Sequence, residues 1–307
     1  MDDWLPHRPT LRPGLRVTRR DDAHLQIGLH PGLRVVLPDR PAVRQMLADL
    51  EVGRRPALDD LEVRRCAHAL ATRNLLVDAG DVARHLTSGL PRPSVLAAYA
   101  TNGLDAPARL DARRAARVGV VADEATRVAA LRLLGSVGLG VAVPRDTAAA
   151  CLVVTAGGEP VREDVDGLVR TGAPHLVARN VGARITLGPF VAPGLTACLR
   201  CVDAHLSDAD PGHGLVAEQH PDRSEEPCDP ALMSLALAWA VRDLVAYVEG
   251  GEPSTWSATV DLGSDPAPVR RSWTRHPRCG CSWGDYQYSE SSLPSIARTL
   301  AREHSSQ

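Results

Sequence analysis

The sequence contains no lysine: all 35 of its basic residues are arginine. Without a side-chain amine there is no Schiff-base nucleophile and no Walker-type lysine to sit on a β- or γ-phosphate, so two routes to catalysis are closed. No apolar run approaches the roughly 18 residues of a membrane span, and the start Met1-Asp-Asp-Trp4-Leu-Pro6 lacks the basic opening and apolar centre of a secretion signal. A cytoplasmic protein with no membrane partner is expected. The formal net charge of −2 supplies no bulk attraction to nucleic acid. Seven cysteines, an odd number in a chain without a secretion signal, favour thiols and metal over a disulfide framework.

What is present fits two compact domains: 307 residues, 44% of them hydrophobic, suffice for two cores. Residues 15–20, 25–29 and 33–37 alternate apolar and polar side chains and are separated by Asp21-Asp-Ala23 and His30-Pro-Gly32, so they read as three short strands. A helix begins at Pro41, carries Val43, Met46, Leu47 and Leu50 at helical spacing and stops at Gly53; a second is expected over 58–72. A small sheet followed by helices is a winged-helix-like unit, placed at 1–87. Such units can bind DNA, but Asp59, Asp60 and Glu62 dilute any phosphate-binding stripe formed by Arg64, Arg65 and Arg73. They can also receive an extended peptide along a free sheet edge. The natural edge is Leu33, Arg34, Val35, Val36 and Leu37, and the groove wall is the second helix with Leu61, Arg64, Arg65 and His68.

Residues 88–115, rich in proline, alanine and arginine, read as a linker or packed connection. From 116 to 285 the pattern becomes that of a doubly wound α/β domain with a parallel sheet: an apolar run at 117–121, a helix over 124–137, further strands at 138–143, 151–154, 175–179 and 183–187, and a helix over 161–170. A long apolar helix over 231–248 and strands at 256–262 and 269–273 follow. The turn after the first strand, Ala122-Asp-Glu-Ala125, has no glycine to admit a phosphate and sets two carboxylates where phosphate charge would lie. Residues 203–230 read as an exposed crossover loop, although His205, His213 and His220 with Asp208 and Asp210 could form a second metal or acid/base site. The tail from 286 is polar, with a short helix expected after Pro294.

Two cysteine pairs stand out: Cys198 and Cys201, spaced CxxC, and Cys279 and Cys281, spaced CxC. A pair on one tight turn completed by a distant pair makes the tetrahedral sulfur shell of a structural Zn²⁺ site, with no position open to substrate. A redox CxxC is the competing reading, and His276 could replace one thiolate. Cys66 and Cys151 read as buried structural thiols; Cys228 also lies outside the clamp.

The segment from Gly188 to His205 (GPFVAPGLTACLRCVDAH) and the segment from His276 to Cys281 (HPRCGC) resemble the ThiF-like leader-peptide-binding proteins of thiazole/oxazole-modified peptide biosynthesis, also called the bacteriocin cyclodehydratase-domain family. The N-terminal unit is similar to the PqqD-like recognition element of such systems, although residues 52–57 are short for the extra helix that element carries. The resemblance implies a non-catalytic, homodimeric scaffold that binds the leader of a ribosomal precursor peptide. A separate YcaO-type cyclodehydratase would then use ATP to form azolines. Related ThiF/MoeB-type domains adenylate carboxyl termini through a glycine-rich loop, from which residues 122–125 depart. An adenylyltransferase and a zinc-containing winged-helix DNA-binding regulator are the alternatives.

Overall fold

Short alternating strands joined by turn residues pair with their neighbours in sequence, and near the start of the chain they do so. The structure, a computed structural model, describes residues 4–142, 148–222, 227–263 and 267–282. The tail beyond 282, with the helix expected after Pro294, lies outside the described residues. The chain divides into two units, Met1–Asp111 and Ala112–Gln307.

The first unit runs β1 (Pro9–Leu11), β2 (Val17–Arg19), β3 (His24–Ile27), β4 (Val35–Pro38), α1 (Pro41–Glu51), α2 (Leu61–Thr72), β5 (Leu76–Asp78), α3 (Ala79–Leu86), α4 (Arg92–Asn102) and the start of α5 (Ala106–Ala115), a helix that ends in the second unit. Strands β2, β3 and β4 form an antiparallel sheet in that order, so β4 is an edge. Leu25, Ile27, Val35 and Leu37 turn inward onto Val43, Met46 and Leu50 of α1 and Val63, Ala67 and Leu70 of α2. Pro41 presets the first turn of α1, and the Asp60 carboxylate accepts from the N–H groups of Glu62 and Val63 to start α2. The proline-rich start is a strand: β1 pairs antiparallel with β5, Thr10 opposite Val77.

The expected linker over 88–115 is helical instead. Pro91 precedes α4, Pro93 lies in its first turn, and Pro107 is the second residue of α5. A missing N–H costs nothing there, so the composition that suggests a connection in fact marks two helix starts. Val95, Ala98, Tyr99 and Leu110 from these helices bury against Val77 in a second small core. The buried Arg12 donates to the carbonyls of Ala100 and Thr101 near the end of α4.

The second unit continues with β6 (Arg117–Val121), α6 (Glu124–Val137), β7 (Gly140–Val141), β8 (Ala150–Thr155), α7 (Arg162–Arg170), β9 (His175–Val181), β10 (Arg184–Val191), α8 (Leu199–Ala209), α9 (His213–Glu218), α10 (Pro230–Val248), β11 (Ala258–Leu262) and β12 (Val269–Ser272). One sheet holds seven strands in the order β12-β11-β10-β9-β8-β6-β7. Strands β7, β6, β8 and β9 are parallel; β9 to β12 are antiparallel. The expectation of a parallel sheet therefore holds for one half only. The reason is the turn between β9 and β10: Gly182 and Ala183 both have φ of 61°, the conformation of a two-residue hairpin, far too short for a crossover.

Helices cover both faces. Leu176 and Ala178 of β9 join α6 and α10 in the main core, around the fully buried Phe190, while the intervening Val177 meets Val165 of α7 and Leu199 of α8. Contrary to expectation, one helix, α10, is long and apolar enough to cross a membrane. In the fold, Ala236, Leu237, Ala240, Val241 and Leu244 pack into the main core. Its buried Asp243 accepts hydrogen bonds from the backbone N–H and hydroxyl of both Ser254 and Thr255, at 2.5–3.0 Å.

A pH dependence follows from β9. His175 is fully buried; its Nδ1 lies 2.9 Å from the Ala173 carbonyl and its Nε2 has no partner among the described residues. Burial pushes its pKa down to about 4 from 6.5. The folded state holds it neutral while the unfolded chain takes up a proton below about 6.5. Its contribution is thus complete above that pH and is lost toward pH 4, at about 1.4 kcal/mol per pH unit. Denaturant titrations between pH 7 and pH 4 are expected to show this slope, and His175→Gln to flatten it.

Candidate functional site

Two places in the fold gather chemistry-bearing residues, one in each unit. In the first, β4 bonds only to β3 within its sheet, and a cleft of about 910 Å³ opens between that strand and α2. Of the residues expected there, Arg34, Val35, Val36, Leu61, Arg64, Arg65 and His68 line it together. Leu33 and Leu37 do not. Strand alternation turns Leu37 into the core at 2% exposure, and Leu33 packs against the same core. Val36, on the opposite face, is 40% exposed, and Leu61 at the start of α2 is 61% exposed.

The cleft also includes Trp4, Pro31, Ala69, Thr72 and Arg73, which the sequence reading missed. Ala69, Thr72 and Arg73 continue the face of α2 set by Arg65 and His68 at three- and four-residue steps, a signal present in the periodicity. Trp4 carries no such signal. It reaches the cleft through the fold, with its ring 5.3 Å from that of His68 and edge-on to it.

In the second unit the four predicted cysteines converge. Their sulfurs lie within 4.8 Å of one another; Cys198 is 3.7 Å from Cys201 and 3.6 Å from Cys279, and Cys201 is 3.4 Å from Cys281. A disulfide would need about 2.05 Å. A tetrahedral shell at a Zn–S distance of about 2.3 Å has sulfur-to-sulfur edges of about 3.8 Å, so this spacing fits one thiolate-bound ion. Cys198 caps the N-terminus of α8, Cys201 lies in its first turn, and the other pair comes from the turn after β12. Sulfur crowding raises the Cys198 thiol, which donates to Cys201, and lowers Cys201, which accepts. A divalent cation would resolve the conflict by taking all four as thiolates.

His276 stands behind the sulfurs and is not one of the four. Its N–H donates to Cys201 Sγ at 3.3 Å, and its Nε2 is 3.0 Å from an Asp208 oxygen. His205, Asp208 and His276 form a second close group, on a helix and a turn. The expected crossover loop is thus helical through Ala209, since Leu199, Val202 and Leu206 recur at helical spacing. His213 and His220 do not join that group.

The nucleotide position of such a sheet lies between β6 and β8, where the chain switches direction. Here Asp123 caps α6. Burial opposes its charge, but hydrogen bonds from the Thr126 hydroxyl and backbone hold its carboxyl below the usual range. The next turn has glycines, yet the Gly157 N–H donates to Asp222 at 2.9 Å. Asn180 bridges the carbonyls of Ala156 and Pro227. The Thr126 and Gly157 N–H groups at this position thus already donate to the protein's own carboxylates.

The second unit is thus a seven-stranded mixed sheet covered by helices, with four cysteines gathered beside it. Among solved structures the fold recurs in a heterocyclase in complex with substrate and cofactor (TM-score 0.67, 15% identity, 89% of this chain and 39% of that one). It recurs in the heterocyclase TruD (0.65, 16%, 90% and 43%). It recurs also in E. coli MccB (0.58, 12%, 89% and 96%), which has been solved with ATP and with MccA. The chain therefore spans about two-fifths of the heterocyclases and nearly all of MccB. No family model and no curated protein matches the sequence.

Proposed function

We propose that this protein is a leader-peptide-binding scaffold that presents a ribosomal precursor peptide to a YcaO-type cyclodehydratase for azoline formation. The observation that carries the reading is the cleft beside the edge of β4 that pairs with no other strand among the described residues, lined by Arg34, Val36, Leu61, Arg64, Arg65 and His68. An extended peptide laid there gains main-chain hydrogen bonds from the edge and side-chain contacts from α2. In this reading the first unit is the winged-helix-like, PqqD-like recognition element. Cys198, Cys201, Cys279 and Cys281 hold a structural Zn²⁺, and two copies of the chain associate. The shared fold with heterocyclases supports it, with the cyclodehydration chemistry carried out by the partner.

Adenylation is the second reading, because MccB shares the fold and has been solved with ATP. The carboxylate of Asp123 at the α6 N-terminus and the tethered Gly157 weigh against it. Titrating the full chain with the leader encoded beside its gene tests both. Micromolar or tighter binding, unchanged by ATP, is expected, with no pyrophosphate released from ATP by this chain alone. Absence of leader binding overturns the scaffold. Salt-sensitive DNA retention in a gel shift would instead favour a regulator.

A further inference from the structure

The leader-binding reading leaves open which peptide the cleft accepts, and its charge decides that. Arg34, Arg64, Arg65 and Arg73 all line it, and among the described residues no carboxylate does. Elsewhere in the same unit Arg19, Arg44, Arg54 and Arg84 each sit on an aspartate. Among the described residues none of the four cleft arginines makes an ion pair; Arg64 Nε donates only to the Leu58 carbonyl, at 3.1 Å. The acidic residues nearby in sequence do not neutralise them. Asp60 is committed to the N–H groups of Glu62 and Val63, and Asp59 and Glu62 are exposed outside the cleft. Like charges gathered without counter-ions repel until an anion arrives.

Their spacing carries more. From Arg65 on α2 to Arg73, the residue that caps its C-terminus, is eight residues, or about 12 Å at helical rise. Extended chain covers that distance in about four residues, an even step that returns to the same face of a strand. Between the two arginines α2 lines the cleft with His68, Ala69 and Thr72, and the apolar side chains of Trp4 and Val36 line it too.

We propose that the peptide received is acidic, with two carboxylates about four residues apart on the face toward α2 and an apolar side chain midway between them. The inference rests on the leader-binding reading and adds the chemical class of its ligand.

Selection of a random peptide display library on the full chain, followed by sequencing, tests it. Enrichment of Asp or Glu pairs at a four-residue spacing is expected, with depletion of Arg and Lys. The double variant Arg65→Glu/Arg73→Glu, changed at exposed positions, should reverse the charge preference and weaken a selected acidic peptide at least about tenfold. Hydrogen exchange should show β4 protected by the selected peptides. Peptides that protect β4 without an acidic bias overturn this inference and leave leader binding standing. An acidic bias that survives the charge reversal also overturns it, since the anions would then bind elsewhere. If no selected peptide and no encoded leader protects β4, both fall.

Discussion

Exchanging Cys279 for serine is expected to release the proposed Zn²⁺ and lower the melting temperature of the second unit by about 6–20 °C. The argument begins with burial: Cys198, Cys201, Cys279 and Cys281 are each at most 9% exposed and share a small core with Val169, Val191 and Ala197. Four thiols so enclosed cannot all ionise without a cation, and structural zinc binding is itself folding free energy, about 10–16 kcal/mol in isolated zinc-finger peptides. Here the seven-stranded sheet has its own core around Phe190, so only the part stitched by the clamp is exposed to the loss. A cost of about 3–5 kcal/mol in a unit of this size corresponds to the stated shift. Metal analysis of the purified chain and calorimetry with and without a strong chelator provide the check. Full metal-free stability would show that the sulfurs brace nothing.

The second large effect concerns recognition and should leave folding intact. Val36→Asp and Leu61→Asp each place a carboxylate on an exposed apolar position of the cleft, beside the β4 edge and at the start of α2. Exposed positions tolerate such changes within about 0.5 kcal/mol. A docked peptide would have to desolvate the new charge against its own apolar side chain, and binding should weaken by about 10–100-fold for each variant. Anisotropy titration with a labelled leader, set beside an unchanged melting curve, separates the two quantities. Unimpaired binding in both variants would move the leader away from this cleft.

Much of this architecture was legible before any fold was seen, wherever the physics is local. Alternation marked three short strands with one face toward a core, and Leu25, Ile27, Val35 and Leu37 supply that face in the fold. Capping chemistry delimited α6, from Asp123 to a left-handed Gly138. The CxxC and CxC spacings announced paired ligands, and the sulfurs do meet. Where composition misled, a residue had two local meanings. Prolines at 91, 93 and 107 suggest a connection by abundance but a helix start by position, and position prevailed. A turn of Gly182 and Ala183 already implied a hairpin, because two residues cannot cross a sheet.

By itself, then, the sequence determined the strands β2 to β4, the helices α1, α2, α6 and α10, the two ligand pairs and the want of a glycine cradle at Ala122 to Ala125. Each of these depends on residues within a turn or two of one another. Only the tertiary structure decided that β1 closes against β5, that Trp4 joins His68 at the cleft and that Leu33 and Leu37 face the core. It also decided that Asp222 and Pro227 come to the switch point to bind Gly157 and Asn180. Those pairings join segments far apart in the chain, and the entropy of closing such loops is recovered only when the whole core forms around them.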